Sequence, residues 1–191
     1  MSATEYLVLP PGASAPTVRE AVASLGLHLV DTLKGDGQRL SSEEVWASPD
    51  HRLAANIVDD PLVGCQYIAL RGADRQALGQ GLTQRLGLIT PAQALAAVVS
   101  AGSAAAQIRA VYHLVVVFPD FDPEALAQLV RIAEHHEDAR VREATVDAMA
   151  YRAWPQCAEP LHRIAQSDPS ADVRRRAAEV LAYLETRTST S

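Results

Sequence analysis

The sequence has few cysteines, few aromatic residues and a single lysine. Its two cysteines, Cys65 and Cys157, lie among apolar or neutral neighbours, which favours free buried thiols over a disulfide framework. The N-terminus shows neither the basic nor the apolar part of a secretory signal peptide. No apolar run approaches the ~18 residues that a membrane-spanning helix needs. We therefore expect a cytoplasmic protein that does not bind a membrane.

An excess of positive charge is also absent. Seventeen basic residues stand against 23 acidic ones, which gives a net charge of −6. A nucleic-acid-binding surface needs clustered cations, because counterion release supplies most of its non-specific affinity. Here the cations are interleaved with acids, so we expect no nucleic-acid partner. The 191 residues, 48% of them hydrophobic, are typical of a globular chain with one large or two small domains.

A repeat with a period of 32 residues runs through the second half of the chain. The matching strings are Leu129–Ala133 with Leu161–Ala165, Val141-Arg142 with Val173-Arg174, and Met149–Tyr151 with Leu181–Tyr183. A fainter copy, which contains Ile108-Arg109, lies 33 residues earlier. Each copy holds two stretches with apolar residues at helical spacing. The pattern predicts about three helix pairs over 90–187, stacked so that each covers the apolar side of the next.

The turn-plus-helix strings within this repeat resemble HEAT-type repeats. Asp138–Ala144 and Asp172–Ala177, each preceded by a helix rich in alanine and leucine, are most similar to the variety named after bacterial phycobilin lyases. The resemblance covers about 90–187 and implies an all-α array of helical hairpins. It also implies a structural ladder between the arginine after each valine and the turn aspartates. The ladder residues so implied are Arg142, Arg174, Asp138 and Asp172, with Arg109 as a further member.

Members of this family act mostly as scaffolds and adaptors, and their second helices line a concave binding surface. The resemblance therefore implies that the partner-binding residues are the second-helix positions outside the apolar stripe. These are Glu143, Asp147, Tyr151, Arg175, Glu179 and Tyr183. Mixed charge with aromatic side chains suits a protein partner, although an ordinary solvated surface is the alternative interpretation. The leading hypothesis is a non-enzymatic protein-protein interaction module, such as a bacterial adaptor, scaffold or immunity-type inhibitor.

Residues 1–89 predict a separate small α+β domain, which resembles no family that we recognise. The strands are predicted at Glu5–Leu9, Leu27–Leu33, Glu43–Ser48, Arg52–Asp59 and Val63–Arg71, and the helices at Pro16–Gly26 and Ala73–Leu86. The order suggests a mostly antiparallel sheet with two helices on one face. Along the second strand, Leu27, Leu29 and Leu33 are expected to share one side. At the other end of the chain, 188–191 are expected to form a disordered tail.

Catalytic and metal-binding patterns are weak. The densest cluster, His135, His136, Glu137 and Asp138, consists of consecutive residues, which diverge by about 100° on a helix and so share no face. Iron-binding hydroxylases built on HEAT-type repeats carry a histidine where this sequence has Arg142. We therefore expect no metal and no cofactor. The alternative hypothesis is a small-molecule-binding protein or lyase-type enzyme with a pocket between the two domains.

Overall fold

The computed structural model describes residues 4–188, with side chains up to Arg187. The chain divides into two compact units, the first ending at Gln93 and the second beginning at Ala94. The predicted disordered tail of 188–191 lies outside the described residues, apart from Thr188, which ends the last helix. Within the described part, no helix is both long and apolar enough to cross a membrane.

The first unit contains a five-stranded antiparallel sheet and two helices, which confirms the predicted α+β class. In chain order the elements are β1 (Thr4–Val8), α1 (Ala15–Ala23), β2 (His28–Leu33), β3 (Ser42–Ala47), β4 (Leu53–Asp60), β5 (Cys65–Gly72) and α2 (Arg75–Leu86). The strands lie side by side in the order β1-β5-β4-β3-β2. The two edges of the sheet are therefore β1 and β2.

The core of the first unit lies between one face of the sheet and the two helices. Alternation along the central strands sends Ile68 and Leu70 into this core, where they meet Val18 and Val22 of α1 and Leu82 of α2. All five side chains are almost completely buried. Removing this much apolar surface from water is the main favourable contribution to the folding of the unit.

The leucines of the second strand do not share one side as predicted. Leu27 is buried but precedes β2, whereas Leu29 and Leu33 are each 50% exposed. The β2–β3 register shifts between Leu29 and Asp31, so Leu29 lies opposite Trp46 and Leu33 lies opposite Glu43. Because successive side chains of a strand point to opposite faces, the two leucines are on different faces. The shift is a β-bulge, which alternation in the sequence does not reveal.

The second unit contains three helix pairs, as the period of 32 predicts. The pairs are α3 (Pro91–Ser100) with α4 (Ala104–Val117), α5 (Pro123–His135) with α6 (Ala139–Arg152), and α7 (Ala158–Ser167) with α8 (Ala171–Thr188). A short 3-10 turn, Pro155–Cys157, precedes α7. The second helices lie next to each other, with α4 packed on α6 and α6 packed on α8. The predicted all-α array is therefore confirmed.

Capping side chains fix where the helices of the second unit begin. Ser103 accepts the Ala106 N–H at the start of α4. The carboxylate of Asp122 accepts two backbone N–H groups at the start of α5, with Pro123 in the first helical position. Asp138 accepts the Arg140 N–H at the start of α6. These side chains satisfy N–H groups that have no partner inside the helix, and they mark the residues at which α4, α5 and α6 begin.

Candidate functional site

The three second helices present one row of equivalent positions. The ninth residue of each second helix is Tyr112 in α4, Asp147 in α6 and Glu179 in α8. All three side chains are half-buried or exposed, while their neighbours on the other side of each helix form the core. We call the surface formed by Tyr112, Glu143, Asp147, Arg175, Arg176, Glu179 and Tyr183 the second-helix face.

An ion-pair network connects two helices across this face. The Nε atom of Arg176 in α8 donates to the carboxylate of Asp147 in α6 at 2.5 Å. On α8 itself, Glu179 accepts from Arg176 at 3.0 Å and from Arg175 at 2.9 Å. Arg175 also donates to Asp172 at 3.3 Å. The network brings together three of the six predicted binding residues, Asp147, Arg175 and Glu179, and orients their charged groups.

The predicted residue Glu143 lies on the same side of α6 as Asp147, one turn earlier, and is half-buried. It forms no ion pair with any side chain that the structure describes. Its charge contributes to the pKa of Tyr112, which is raised to about 12. Burial is the largest cause of this shift, the charges of Asp147 and Glu143 add to it, and the charge of Arg176 opposes it. The Tyr112 hydroxyl is therefore a neutral donor at any physiological pH.

Sequence reasoning missed Tyr112, and Arg176 is not among the six predicted binding residues. The fainter repeat was aligned at an offset of 33, whereas the helix starts show that Tyr112 precedes its equivalent Asp147 by 35 residues. The signal that identifies the offset is Ser103, a capping residue at the start of α4. Arg176 contacts Asp147 only because α6 and α8 are adjacent. The helical spacing of α8 alone does not predict that adjacency.

The two remaining predicted residues, Tyr151 and Tyr183, occupy equivalent positions near the ends of α6 and α8. The guanidinium of Arg152 lies 5.2 Å from the Tyr151 ring centroid, and that of Arg187 lies 5.7 Å from the Tyr183 ring. Arg187 also donates to the Tyr183 hydroxyl at 2.9 Å. Tyr183 is 44% exposed, whereas Tyr151 is half-buried. Of the two tyrosines, Tyr183 therefore offers the larger surface to a partner.

Arg142, a predicted ladder residue, binds a buried aspartate, but not the predicted Asp138. Arg142 donates from Nε and Nη2 to the two carboxylate oxygens of Asp168 at 2.8 and 2.9 Å, and both side chains are buried. Its Nη1 donates to the carbonyl oxygens of His136 and Glu137 at 2.7 and 3.2 Å. The arginine thus joins the α5–α6 turn to the turn of the next pair. Asp138, the predicted partner, instead caps α6 and pairs with the exposed Arg140.

Arg174, 32 residues later, repeats the hydrogen bonds of Arg142 to two backbone carbonyl oxygens but not its contact with an aspartate. Its Nη1 donates to the carbonyl oxygens of Asp168 and Pro169 at 2.5 and 3.2 Å. Asp172, predicted as a ladder residue, is exposed and pairs with Arg175 on its own helix. The carboxylate that Arg142 binds comes instead from Asp168, the C-cap residue of α7.

The first pair places a glutamine where the others have arginine, and the proposed role of Arg109 is wrong. Gln107 is the fourth residue of α4, as Arg142 is of α6, and its side-chain amide donates to the carbonyl oxygen of Val98 at 3.0 Å. Gln107 is buried, whereas Arg109 is exposed. The offset of 35 between the first two pairs again explains the difference.

The histidine cluster at the end of α5 is dispersed in the structure. His135 is exposed, and His136 accepts the backbone N–H of Asp138 at its Nδ1 atom. Among the side chains that the structure describes, no three histidine, cysteine, aspartate or glutamate residues lie close enough together to hold a metal ion. Both cysteines are free and buried, and burial raises the pKa of the Cys157 thiol to about 12.

Comparison with known proteins agrees with the repeat architecture. A family model for HEAT repeats matches residues 86–189, which is more than half of the chain, and it leaves most of the first unit unmatched. No curated protein and no solved structure matches the sequence. HEAT repeats stack helix pairs into an array in which each pair contacts its neighbours, and α3 to α8 follow that plan. The chain belongs to the HEAT repeat family.

Proposed function

We propose that the protein is a non-enzymatic interaction module that binds another protein through the second-helix face. HEAT repeats commonly serve as protein-interaction modules. The finer proposal is that this array works as a bacterial adaptor, scaffold or immunity-type inhibitor. It goes beyond the family assignment and concerns the chain's own residues.

The observation that carries the proposal is the fixed arrangement of charged and aromatic groups across the three second helices. Asp147 is held by Arg176 from the next helix, and Glu179 is held by two arginines. Side chains that are already ordered lose less conformational entropy when a partner binds. Tyr112 and Tyr183 add aromatic surface at the two ends of the row, and tyrosine and arginine are the residue types in which interface binding energy concentrates.

The charges of the face also suggest what the partner carries. Its acids are Glu143, Asp147 and Glu179, and its cations are Arg175 and Arg176. Both arginines already pair with carboxylates, while Glu143 has no cationic partner among the described side chains. A partner with a lysine or arginine opposite Glu143 would complete the pattern, since complementary charge contributes to specificity and association rate.

The test starts with affinity purification from the native host and identification of the bound protein. Binding of that partner is then measured for Glu143→Arg and Tyr183→Ala. Glu143→Arg should weaken it by at least about tenfold, since a like charge opposite a cation costs on the order of 1.4 kcal/mol or more. A lower ionic strength should enlarge the effect.

The matched control is Glu137→Arg, which makes the same charge change at an exposed position in the turn before α6. It should leave partner binding unchanged. Partner affinity that survives both Glu143→Arg and Tyr183→Ala would contradict the proposed face. The alternative of a small-molecule-binding or lyase-type protein stays a prediction. Its test is a ligand-dependent rise in melting temperature, which follows whenever a ligand binds only the folded state.

A further inference from the structure

Three positions of α6 are buried although their equivalents in α8 are not. Arg142, Val146 and Met149 are at most 6% exposed. Arg142 faces the next helix pair, because it binds Asp168 at the end of α7, and the other two residues lie on the same side of α6 at helical spacing. The α7–α8 pair therefore covers this side of α6. The equivalent residues 32 positions later in α8 are half-buried or exposed, and they are Arg174, Ala178 and Leu181.

These residues of α8 belong to a stripe that continues to Glu185, which is exposed. We call Arg174, Ala178, Leu181 and Glu185 the end stripe. Intervals of four, three and four residues place all four side chains within about 60° around the helix axis. Within the described residues, no helix pair follows α8 to cover the end stripe. The end stripe shares no residue with the second-helix face, which lies further around α8.

The order of side chains along the end stripe is self-complementary. A cation lies at its N-terminal end, a carboxylate lies at its C-terminal end, and a small and a large apolar residue lie between them. When a second copy of α8 packs antiparallel, Arg174 lies opposite Glu185 of the second copy, and Ala178 lies opposite Leu181 of the second copy. Both pairs fit one register, because they are centred on the same point of the helix. A parallel arrangement would instead place like charges opposite each other, which is unfavourable.

The guanidinium of Arg174 is oriented but binds no carboxylate within the described part of the chain. Its Nη1 atom donates to the carbonyl oxygens of Asp168 and Pro169. The carboxylate of Asp168 is already bound by Arg142. An arginine held in this way loses little conformational freedom when a carboxylate binds it. Glu185 of a second copy can supply that carboxylate, because a carboxylate accepts several hydrogen bonds at once.

We propose that the end stripe binds a second copy of this chain, so that the two α8 helices form an antiparallel pair about a twofold axis. Ion pairs between Arg174 and Glu185 close both ends of the contact, and the small Ala178 lets the helices approach around Leu181. The occupant is a second copy because the stripe itself carries the complementary charge and shape that a twofold interface needs. This interface goes beyond the proposed function, since it lies outside the second-helix face.

The test measures self-association of the full chain by sedimentation equilibrium over a range of concentrations. The wild type should form a concentration-dependent dimer. Arg174→Glu and Glu185→Arg each place like charges opposite one another in a homodimer, so each should raise the dimer dissociation constant by at least about tenfold. An equimolar mixture of the two variants places opposite charges at both ends of the contact. The mixture should therefore dimerise with nearly wild-type affinity.

A second variant tests the centre of the contact and keeps the native Arg174. Ala178→Arg introduces a long charged side chain between the two helices and should also raise the dimer dissociation constant by at least about tenfold. Its matched control is Ala127→Arg, the same change at an exposed position of α5, which should dimerise like the wild type. Glu143→Arg should do so too, which separates this interface from the second-helix face.

Far-ultraviolet circular dichroism establishes that each variant is folded before its association is measured. A wild type that stays monomeric at every concentration overturns the proposal. So does a dimer that Ala178→Arg leaves intact, or a mixture of folded Arg174→Glu and Glu185→Arg that stays monomeric.

Discussion

Replacing Arg142 by methionine should destabilise the second unit by about 3–5 kcal/mol, because the change leaves the carboxylate of Asp168 buried without its counter-charge. The Arg142 and Asp168 side chains are only 8% and 2% exposed. Arg142 contributes four hydrogen bonds, two to Asp168 and two to the carbonyl oxygens of His136 and Glu137. After the change, Asp168 keeps the Ser170 N–H as a hydrogen-bond donor at 2.7 Å.

For a unit of this size, each kcal/mol lowers the melting temperature by roughly 4–8 °C, so a fall of at least about 12 °C is expected. Urea unfolding followed by far-ultraviolet circular dichroism gives the free-energy change directly, since most helices belong to the second unit. The double variant Arg142→Met with Asp168→Asn should lose less free energy of unfolding than the two single variants lose together. The reason is that it removes the unpaired charge along with its partner.

The matched control is Arg140→Met, the same substitution two residues earlier on the same helix. Arg140 also pairs with an aspartate, Asp138, but its side chain is 80% exposed. Solvent screening makes such pairs weak, so this variant should unfold at nearly the wild-type urea concentration. If Arg142→Met unfolded at the same urea concentration as Arg140→Met, the ladder would not be a stabilising element and the reasoning would fail.

Three further outcomes are expected. Burial raises the pKa of Asp168, but hydrogen bonds from Arg142 and Ser170 lower it more. The stability that the Arg142–Asp168 pair provides is therefore complete above the unfolded pKa of about 3.9 and is lost below it, so the urea midpoints of wild type and Arg142→Met should converge in acid. Burial raises the pKa of Glu5, against a smaller opposing effect of Arg75. Charged Glu5 thus costs stability above its folded pKa, and Glu5→Gln should raise the melting temperature at neutral pH but not in acid. Asp122→Ala should cost about 1 kcal/mol in urea unfolding, because two N–H groups of α5 lose their acceptor.

Local patterns in the sequence were sufficient to predict the helices and strands and to place the six predicted binding residues on second helices. The period of 32 predicts α5 to α8, and capping residues such as Asp122 mark where helices begin. The six predicted binding residues all belong to second helices, because helical spacing separates them from the apolar stripe. These are properties of one helix or of two equivalent helices, so they can be predicted from the sequence of those helices alone.

Contacts between elements could not be predicted in the same way. Arg142 finds Asp168 across the stack, 26 residues later, whereas the aspartate nearest in sequence, Asp138, is used as a cap. The exposure of β2 depends on strand order, which places the second strand of the chain at an edge of the sheet. Alternation predicts a strand but not its neighbours. Three-dimensional adjacency therefore decides the details that matter most for function.

The ladder also determines how the array could be lengthened by engineering. Arg174 occupies the place of Arg142 and makes the same two carbonyl contacts through Nη1, while its Nε and Nη2 atoms have no hydrogen-bond partner among the described residues. Those are the atoms with which Arg142 holds Asp168. A designed fourth helix pair with an aspartate after its first helix would meet a guanidinium that is already positioned. Growth at this end would then require one new carboxylate and an apolar face to cover α8.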